Sequence, residues 1–375
     1  MFTDLQVRLL IGKVAVIPAP AEVTDALQSI QVITSAGARS GFRLDFAVSK
    51  RSIITGALIP AGVFDPKTRV ILLAIIKGFP HVLVDGVITR QDMSPSNDPA
   101  GSTFTVTGED LSLLMDLTHE HACYPALRAD LAVLKALTKP KYLMYGIAPA
   151  VVPPIIPVIP SVMERIPTQS ATDLAYVSGL AKDAGYTFYV EPGPAPGTNI
   201  AYWGPEIRVG APQPALTINS GTASNVESLS FSYDGLSRIQ YTVPITEPLT
   251  KLGVSIPVPN ISLLQPLLAP KPAVTLREKP LEETNKAGFA EAAALALGRA
   301  QNVNDAISGQ GKLDVLRYGH VLKARGLVTV RGAGIAYDGL YYVKSVTSDI
   351  KRGEYKQSFT LSRDGLGPLS PVVQP

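Results

Sequence analysis

Runs in which apolar and polar residues alternate dominate both ends of the chain, and they predict β-strands. Phe42–Val48 and Ser102–Thr107 carry an apolar residue at every second position, which is the period of a strand with one buried face. Val70–Ile76 is a continuous apolar run, which indicates a strand buried on both faces, and His81–Thr89 follows it. In the second part of the chain the predicted strands are Asn199–Trp203, Leu216–Ile218, Ser228–Tyr233, Val321–Arg331, Leu340–Thr347 and Tyr355–Arg363.

Helical patterns interrupt these strands. Ser170 or Thr172 is a suitable N-cap and Gly185 a suitable end for one helix, which the strand Tyr186–Val190 follows. The buried face of this helix is predicted to carry Leu174, Val177, Leu180 and Ala181. The other predicted helices are a segment capped by Asp110 that continues to Thr118, the segment Ala126–Leu137 and the Ala-rich segment Asn285–Ala306.

The two β-rich parts of the chain echo each other. GFRLDFAV, RVILLAIIKGFPHVLVDGVITR and STFTVTGED near the N-terminus have counterparts in VESLSFSY, HVLKARGLVTVRGAGIAYDGLYYVKSV and QSFTLSRDG. The proposed correspondences are Leu44 and Phe46 with Leu229 and Phe231, Asp85-Gly86 with Asp338-Gly339, and Phe104 and Val106 with Phe359 and Leu361. Chance alternation is the alternative. The echo predicts two copies of one antiparallel β-domain, with insertions in the second copy.

The predicted fold class is therefore mainly β with an α/β insertion. The first β-domain is assigned to residues 1–109 and the α/β domain, which includes a proline-rich segment, to residues 110–198. The second β-domain is assigned to residues 199–368, with proline-rich and helical insertions at 244–306, and residues 369–375 form a tail.

Composition narrows the function classes. Only 17% of the residues are charged against 46% hydrophobic, so much of the surface is expected to face other protein. A net charge of +3 without a Lys/Arg cluster argues against sequence-specific nucleic-acid binding. The single cysteine, Cys123, excludes a disulfide within the chain. The N-terminus lacks the pattern of a secretory signal, so synthesis and assembly in the cytoplasm are expected.

The apolar run Tyr145–Met163 does not predict a membrane span. Five prolines interrupt it, at 149, 153, 154, 157 and 160, and a spanning helix needs an unbroken hydrogen-bond ladder over about 20 apolar residues. The run is predicted to be an extended proline-rich segment, and no stable membrane insertion is expected.

The best candidate for chemistry is DLTHEHACYP, which contains His119, Glu120, His121 and Cys123. On a strand His119, His121 and Cys123 would share a face, and imidazole and thiolate are zinc ligands. On the predicted continuing helix the two histidines would diverge, so a polar helix end is favoured over a metal site. His81 and His320 stand apart in the sequence.

The remaining candidate sites are weaker. Asp116 and Glu120 are spaced for one face of a helix, and Glu282 and Glu283 precede the Ala-rich segment, where acidic residues favour a helix N-terminus. RGAGIAYDG has Gly332 and Gly334 but Tyr337 where a dinucleotide-binding fingerprint needs a third glycine. Trp203 is assigned to packing ahead of sugar stacking. No catalytic, metal-binding or cofactor-binding residue is predicted, and no cofactor.

The segment AYDGLYYVKSVTSDIKRGEYKQSFTLSRDG, residues 336–365, is predicted to be a hairpin that turns at Lys351–Glu354. Tyr355, Phe359 and Leu361 share one face of its second strand. Lys356, Ser358, Thr360 and Ser362 share the other face, which is a candidate for the wall of a wet channel.

Three segments resemble the late control D family of contractile-tail baseplate hub proteins, whose fold also forms the hub of type VI secretion spike proteins. They are FTVTGEDLSLLMDL, SATDLAYVSGLAKDAGYTFYVEPG and the closing segment GKLDVLRYGHVLKARGLVTVRGAGIAYDGLYYVKSVTSDIKRGEYKQSFTLSRDG. The segments span both ends of the chain, and their order is more specific than any one of them.

The resemblance implies two tandem tail-tube-like β-barrels and a homotrimer whose six barrels form a pseudo-hexameric ring. Such a hub has no catalytic activity and joins a trimeric spike protein to the tail tube proteins. It also meets baseplate wedge proteins and the tape measure protein, and DNA or cargo passes through its lumen without sequence-specific binding. The implied location is a virion tail baseplate or an injection particle assembled in the host cytoplasm.

Two features depart from the family pattern. The proline-rich stretches 148–167 and 244–280 are either arms that reach a neighbouring subunit or ordinary ordered loops. Because no spike-like barrel or β-helix follows within the sequence, the spike is expected to be a separate chain. The alternatives for function are a peptidoglycan- or glycan-active enzyme, or a glycan-binding component, of the same particle.

Overall fold

The computed structural model describes residues 5–97, 101–154, 157, 159, 166–246, 253–257, 265–280, 298 and 305–369. The strands are β1 Leu5–Gly12, β2 Val16–Pro18, β3 Leu27–Ser35, β4 Gly41–Ala47, β5 Arg69–Ile76, β6 Phe79–Ser94, β7 Thr103–Asp110, β8 His119–Cys123, β9 Ile147–Val151, β10 Thr168–Thr172, β11 Thr187–Pro192, β12 Asn199–Gly204, β13 Gln213–Thr217, β14 Val226–Tyr233, β15 Ile239–Thr246, β16 Gly253–Pro257, β17 Lys271–Pro272, β18 Arg277–Pro280, β19 Ile307–Asp314, β20 Leu327–Arg331, β21 Gly339–Lys351, β22 Glu354–Arg363 and β23 Gly365–Leu366. The α-helices are α1 Ala21–Ala26, α2 Ala129–Leu137, α3 Pro140–Leu143, α4 Asp173–Ala184 and α5 Val315–Tyr318, with a π-helical turn at Ile54–Leu58 and 3₁₀ turns at Leu111–Met115 and Gly221–Ala223.

The predicted mainly β architecture with a small α/β insertion is confirmed. One sheet of 13 strands runs through both ends of the chain in the order β14-β19-β22-β21-β3-β4-β7-β6-β5-β1-β2, with β20 also on β21 and β13 on β20. Its apolar side chains from both ends of the chain form one core, which includes Phe46, Phe104, Tyr341 and Phe359. A separate core around Trp203 and Val177 belongs to the α/β segment, which includes β12 because that strand pairs with β9 and β11.

The sheet is a duplication. Its first half contains the order β3-β4-β7-β6-β5-β1, and its second half contains β14-β19-β22-β21-β20-β13. Numbered along the chain, each half has the same six strands in the same spatial order, so the predicted internal echo is present in the topology. One pairing differs between the halves, since β1 lies antiparallel to β5 whereas β13 lies parallel to β20.

Two β-bulges fix the residue correspondence. In the first half the register slips at Gln28 between β3 and β4, and in the second half it slips at Glu227 between β14 and β19. The long strands β6 and β21 carry a second equivalent slip, at Thr89 and at Lys344. Bulges are structural devices that fix local twist and side-chain direction, so their repetition identifies equivalent positions.

This alignment corrects the residue correspondences expected from sequence. Leu229 and Phe231 on β14 are equivalent to Ile30 and Val32 on β3, whereas Leu44 and Phe46 on β4 are equivalent to Gly311 and Leu313 on β19. The other expected pairs, in β6 with β21 and in β7 with β22, point to the correct strands and are displaced by two residues. A displacement by two keeps each side chain on its face, which is why the pattern still matched.

The sequence pattern missed β19 because glycines replace its apolar residues. Gly309 and Gly311 stand at the positions of Phe42 and Leu44. Phenylalanines on neighbouring strands fill the space, since a Cβ built on Gly309 would lie 2.8 Å from the Phe231 ring and one on Gly311 would lie 2.5 Å from Phe359. In the first half the neighbours at those places are Val32 and Val106, so large and small residues are exchanged between paired strands.

The two halves are joined edge to edge. Strand β3 pairs with the C-terminal part of β21, from Ser35 opposite Ser345 to Ser29 opposite Lys351. Ile30 and Ile350 face each other across this joint, and each is 3% exposed. The prediction of two antiparallel β-domains therefore needs this amendment: within one chain their strands form a single hydrogen-bonded sheet. Barrel closure stays a prediction.

Two buried arginines attach the α/β segment to the sheet. The Arg69 guanidinium binds both carboxylate oxygens of Asp85, at 2.8 and 2.7 Å, and donates to the carbonyl of Tyr145. Arg325 donates to the carbonyl of Ser35 at 2.8 Å and lies 4.0 Å over the ring of Tyr189. Because Tyr145 and Tyr189 belong to the α/β segment, these contacts fix its position relative to both halves of the sheet.

The helices follow the predictions in part. Thr172 caps α4, its Oγ1 accepting from the amide of Ala175 at 3.2 Å, and Gly185 ends the helix at φ +69°, as expected. Asp110 is a cap as well, but it caps only the single 3₁₀ turn Leu111–Met115, so the helix predicted to reach Thr118 is wrong. The chain beyond that turn pairs as β8 with β10, and this strand pairing overrides local helix propensity.

Several predictions lie wholly or mostly outside the described residues. They include the Ala-rich helix Asn285–Ala306, Glu282, Glu283 and large parts of the proline-rich stretches. Strand β9, Ile147–Val151, includes the first four residues of stretch 148–167 and pairs in parallel with β12. Of stretch 244–280, residues 253–257 pair with β15 as β16, and residues 277–280 pair with it as β18. No helix among the described residues combines the length and apolar character needed to cross a membrane.

Candidate functional surface

The face of the large sheet opposite the core is polar and continuous across the joint between the halves. Its side chains lie in rows that run from strand to strand. One row is Ser230, Gln310, Thr360, Ser345 and Ser35, and the next is Ser228, Lys312, Ser358, Thr347, Ile33, Gly41 and Glu109. A third is Asp314, Lys356, Asp349, Gln31, Arg43, Thr107 and Arg90, and a fourth is Glu354, Lys351, Ser29, Asp45, Thr105 and Asp92. We call these four rows the polar face.

Asp45 is the best-connected carboxylate of the polar face. It accepts hydrogen bonds from the hydroxyls of Ser29 and Thr105, each at 2.7 Å, and from Nε of Arg43 at 3.0 Å. Partial burial opposes its ionisation, but the bonds from Thr105, Ser29 and Arg43 outweigh burial and hold the pKa of Asp45 below its usual value. Asp45 thus binds three adjacent strands together through their polar side chains.

A shallow depression lies on the polar face at the joint between the halves. Its volume is about 230 Å³, and it is lined by Gln31, Asp45, Asp349 and Lys351 among others. Nε2 of Gln31 donates to Oδ1 of Asp349 at 2.9 Å and so connects the two halves on this face. The depression is open and hydrophilic, in contrast to the enclosed apolar pockets that bind small ligands.

Basic and acidic side chains nearly balance on the polar face. The basic ones are Arg43, Arg90, Lys312, Lys351 and Lys356, and the acidic ones are Asp45, Asp92, Glu109, Asp314, Asp349 and Glu354. Arg90 pairs with Asp92 at 2.7 Å and Lys356 with Glu354 at 3.2 Å. A hydroxylated surface with balanced charge is well hydrated, and neither sign of charge dominates its electrostatic potential.

Changing Asp45 to asparagine tests this network. Asp45→Asn is expected to lower the free energy of unfolding at pH 7 by about 1 kcal/mol, since charge-assisted hydrogen bonds are lost at a half-buried site. The native pKa of Asp45 lies below its unfolded value, so the carboxylate stabilises the fold above the unfolded pKa. This stabilisation disappears as pH falls through the lowered native pKa. Urea denaturation at several pH values should therefore show a difference between the two proteins that shrinks in acid, and a pH-independent difference would contradict the assignment.

The histidine–cysteine candidate lies on a strand, contrary to the helix expected there. His119, His121 and Cys123 occupy the exposed face of β8, with Glu120 and Ala122 between them. Across the part of the chain that the structure describes, no group of three or more His, Cys, Asp or Glu side chains has the geometry to hold a metal ion. His81 and His320 come near each other: burial and the charges of Lys323 and His320 lower the pKa of His81.

The acidic candidates lie in ion pairs and no longer share a helix. Glu120 binds the ammonium groups of Lys141 at 2.5 Å and Lys139 at 3.0 Å, and these bonds lower its pKa. Asp116 accepts from the hydroxyl of Thr172 at 2.7 Å and pairs with Arg39, and its pKa is also lowered. The general acid of a glycosidase needs a raised pKa, and the ion pairs of these two carboxylates shift their pKa values in the opposite direction.

The glycine-rich and tryptophan candidates are structural. Gly332 and Gly334 lie in the loop from β20 to β21, both at positive φ, and a strand follows them where phosphate binding would need a helix N-terminus. Trp203 is 0% exposed, packs against Tyr186 and donates from Nε1 to the carbonyl of Val177 at 3.2 Å. A side chain so buried cannot stack on a sugar.

The C-terminal hairpin has the predicted form. Its strands β21 and β22 pair from Tyr342 opposite Ser362 to Lys351 opposite Glu354, and Gly353 in the turn has φ +75°. Tyr355, Phe359 and Leu361 are buried on one side, and Lys356, Ser358 and Thr360 lie on the polar face. Ser362 is buried at the end of the strand. The sequence pattern predicted this fragment of the polar face but not its extension over β3, β4 and β7. The alternating threonines of STFTVTGED would have indicated that extension.

The fold, by contrast, has solved relatives. No protein-family profile matches the sequence, and neither does any curated protein. Three similar solved structures are a tail protein of Neisseria meningitidis MC58 (TM-score 0.59, 13% identity, covering 96% of this chain and 98% of that one), the 43 kDa tail protein of prophage MuSo2 from Shewanella oneidensis (0.57, 14%, 95% and 98%) and the E. coli c3393 protein, a component of the type VI secretion system (0.56, 13%, 93% and 77%). At such low identity the likeness shows the fold alone. The chain shares its fold with these phage tail proteins and with this type VI secretion component.

Proposed function

We propose that the protein is the structural baseplate hub of a contractile phage tail or a phage-like injection system, with no catalytic activity. Three copies would form a pseudo-hexameric ring that joins a trimeric spike to the tail tube. The carrying observation is the duplicated sheet, in which two equivalent halves are joined edge to edge and share one polar face. A chain built this way presents two quasi-equivalent units, so a three-fold assembly of it offers six.

The polar face is suited to form the wall of a lumen. It runs without interruption over the joint, and its opposite side is the core of the sheet. Rolled into a ring, such a sheet would expose hydroxyl groups and balanced charges to the bore, where DNA or protein cargo has to pass without sticking. The same ring would remove free sheet edges, which are otherwise prone to uncontrolled pairing.

The proposed partners follow from the family resemblance of the sequence and from the solved proteins that share the fold. They are the spike, tail tube, baseplate wedge and tape measure proteins, and the location is the baseplate of a virion tail or injection particle. The similarity in fold to the tail proteins of Neisseria meningitidis and of prophage MuSo2, and to a type VI secretion component, supports this class of partner.

The oligomeric state of the purified chain tests the proposal. Mass photometry and sedimentation are expected to show a trimer at micromolar concentration, and electron micrographs should show rings with a central bore. Addition of a cognate spike protein should raise the trimer fraction by mass action. A chain that stays monomeric at every concentration and with spike or tube proteins present would overturn the proposal.

A further inference from the structure

The internal joint predicts how neighbouring copies meet. We infer that β14 of one copy pairs antiparallel with the C-terminal part of β6 in the next copy, in a register set by the duplication. This inference rests on the proposed function and deepens it, because it names the surface and the partner that close the ring. Its partner is a second copy of this chain.

In the part of the chain that the structure describes, both strands have an unpaired edge at the equivalent place. Within the described part of the chain β14 pairs along one edge, with β19, while its equivalent β3 pairs along both, with β4 and β21. The part of β6 from Arg90 to Ser94 pairs with β7, and β5 covers only Phe79–Val87. Its equivalent in β21, Ser345–Asp349, lies within the segment that β3 covers, Ser345–Lys351. The unpaired edge of the second half in one copy therefore matches the unpaired edge of the first half in another copy.

The register follows from the two pairs of bulges. Through β7 and β22, residues 90–94 of β6 are equivalent to residues 345–349 of β21. Through β4 and β19, residues 29–34 of β3 are equivalent to residues 228–233 of β14. Transferring the observed joint to the other two edges gives the pairs Gln91 with Tyr233, Asp92 with Ser232, Met93 with Phe231 and Ser94 with Ser230.

The side chains at the two edges fit each other in this register. Met93 and Phe231 both lie on the core side, and Met93 is 46% exposed in the single chain, so their contact would extend the apolar core across the interface. The equivalent pair inside the chain, Ser348 and Val32, is buried at 6% and 2%. On the other side, Asp92 with Ser232 and Ser94 with Ser230 would continue the polar face.

An unsatisfied polar group marks the same edge. Oε1 of Gln91 is buried and has no hydrogen-bond partner within the described chain, and such groups are uncommon in native proteins. In the inferred register Gln91 lies opposite Tyr233, whose side chain is 44% exposed. The incoming strand would bring new donors to a place where the single chain leaves an acceptor without one.

Cysteine cross-linking tests the register directly. In a Cys123→Ser background, the matched pairs are Asp92→Cys with Ser232→Cys on the polar face and Met93→Cys with Phe231→Cys on the core face. Both are needed because neighbouring antiparallel pairs alternate in spacing, and only one spacing favours a disulfide. The controls inside the chain are the equivalent pairs Ile33→Cys with Thr347→Cys and Val32→Cys with Ser348→Cys, which report which face can close.

On the face that closes inside the chain, the matched pair is expected to give covalent dimers and trimers on a non-reducing gel, with nothing larger. The control Asp92→Cys with Ser230→Cys, or Met93→Cys with Leu229→Cys, is shifted by two residues and should give at least tenfold less. Reduced variants are compared with the Cys123→Ser chain by sedimentation, so that assembly and cross-linking are read separately. Trimers in solution with no matched cross-link, or with a stronger shifted one, would overturn the register and leave the proposed function intact. A Cys123→Ser chain that stays monomeric at every concentration and with spike or tube proteins present would overturn both.

Discussion

Asp85→Ala is expected to lower the free energy of unfolding by about 3–5 kcal/mol, because it leaves the buried guanidinium of Arg69 without its anionic partner. The two side chains are 5% and 0% exposed, and the carboxylate also accepts from Nδ2 of Asn199 at 2.8 Å. Without Asp85 the cation and the amide both lose an acceptor that water cannot replace at low cost. Urea denaturation at 25 °C, followed by far-ultraviolet circular dichroism, measures the change.

Two companion variants make the test specific. Arg90→Met removes one partner of the exposed Arg90–Asp92 pair, where the side chains are 72% and 42% exposed, and should change the free energy of unfolding by less than about 1 kcal/mol. The double variant Arg69→Met with Asp85→Leu should lose less than Asp85→Ala, since no buried charge is left alone. Equal losses at the buried and the exposed pair would show that burial does not make the Arg69–Asp85 pair a stronger stabilising contact than an exposed ion pair.

Gly311→Leu is the second substitution with a large expected effect. It places in β19 the residue that stands at the equivalent position of β4, but here the Cβ would lie 2.5 Å from the Phe359 ring and 2.7 Å from the carbonyl oxygen of Ser228. Overpacking of this kind costs about 2–3 kcal/mol, because the ring and the backbone both have to move. The loss should appear as a lower midpoint in the same urea titration.

Phe359→Val is the matched partner of this change. It reproduces Val106, which faces Leu44 in the first half, so Gly311→Leu combined with Phe359→Val copies the first half into the second. Alone, Phe359→Val leaves a cavity and should cost about 2–4 kcal/mol. The double variant should be more stable than the sum of the two losses predicts, by about 1 kcal/mol or more. Strict additivity would show that the two halves do not exchange large and small residues as equivalent structures.

The local pattern predicted whatever depends on near neighbours in the chain. Alternation predicted the strands around Phe42, Val70 and Phe104 and the hairpin that turns at Gly353, and cap chemistry predicted Thr172 and Gly185 at the ends of α4. These features depend on side-chain direction along a strand and on hydrogen bonds to the first amides of a helix. The polar face of β22 was predicted in the same way.

Predictions failed where a distant strand changed what a residue experiences. The segment after Asp110 has helical periodicity, but its end forms β8 because it pairs with β10. This pairing places His119, His121 and Cys123 on an exposed strand face. Strand β19 has no apolar alternation, because rings from β14 and β22 fill the volume above its glycines. With β19 missed, the echo placed β14 against β4, where the bulges show that it corresponds to β3.

Local patterns in the chain were therefore sufficient to predict the mainly β composition, the presence of an echo and one fragment of the polar face. Contacts between distant segments established that the two halves share six strands in one order, that β3 joins β21, and that the polar rows cross the joint. Side-chain periodicity depends on residues close together in the chain, whereas strand pairing depends on edges and bulges that are far apart in sequence. Among the described residues, the unpaired edges of β14 and of the end of β6 are recognised by comparison with the paired edges of β3 and β21.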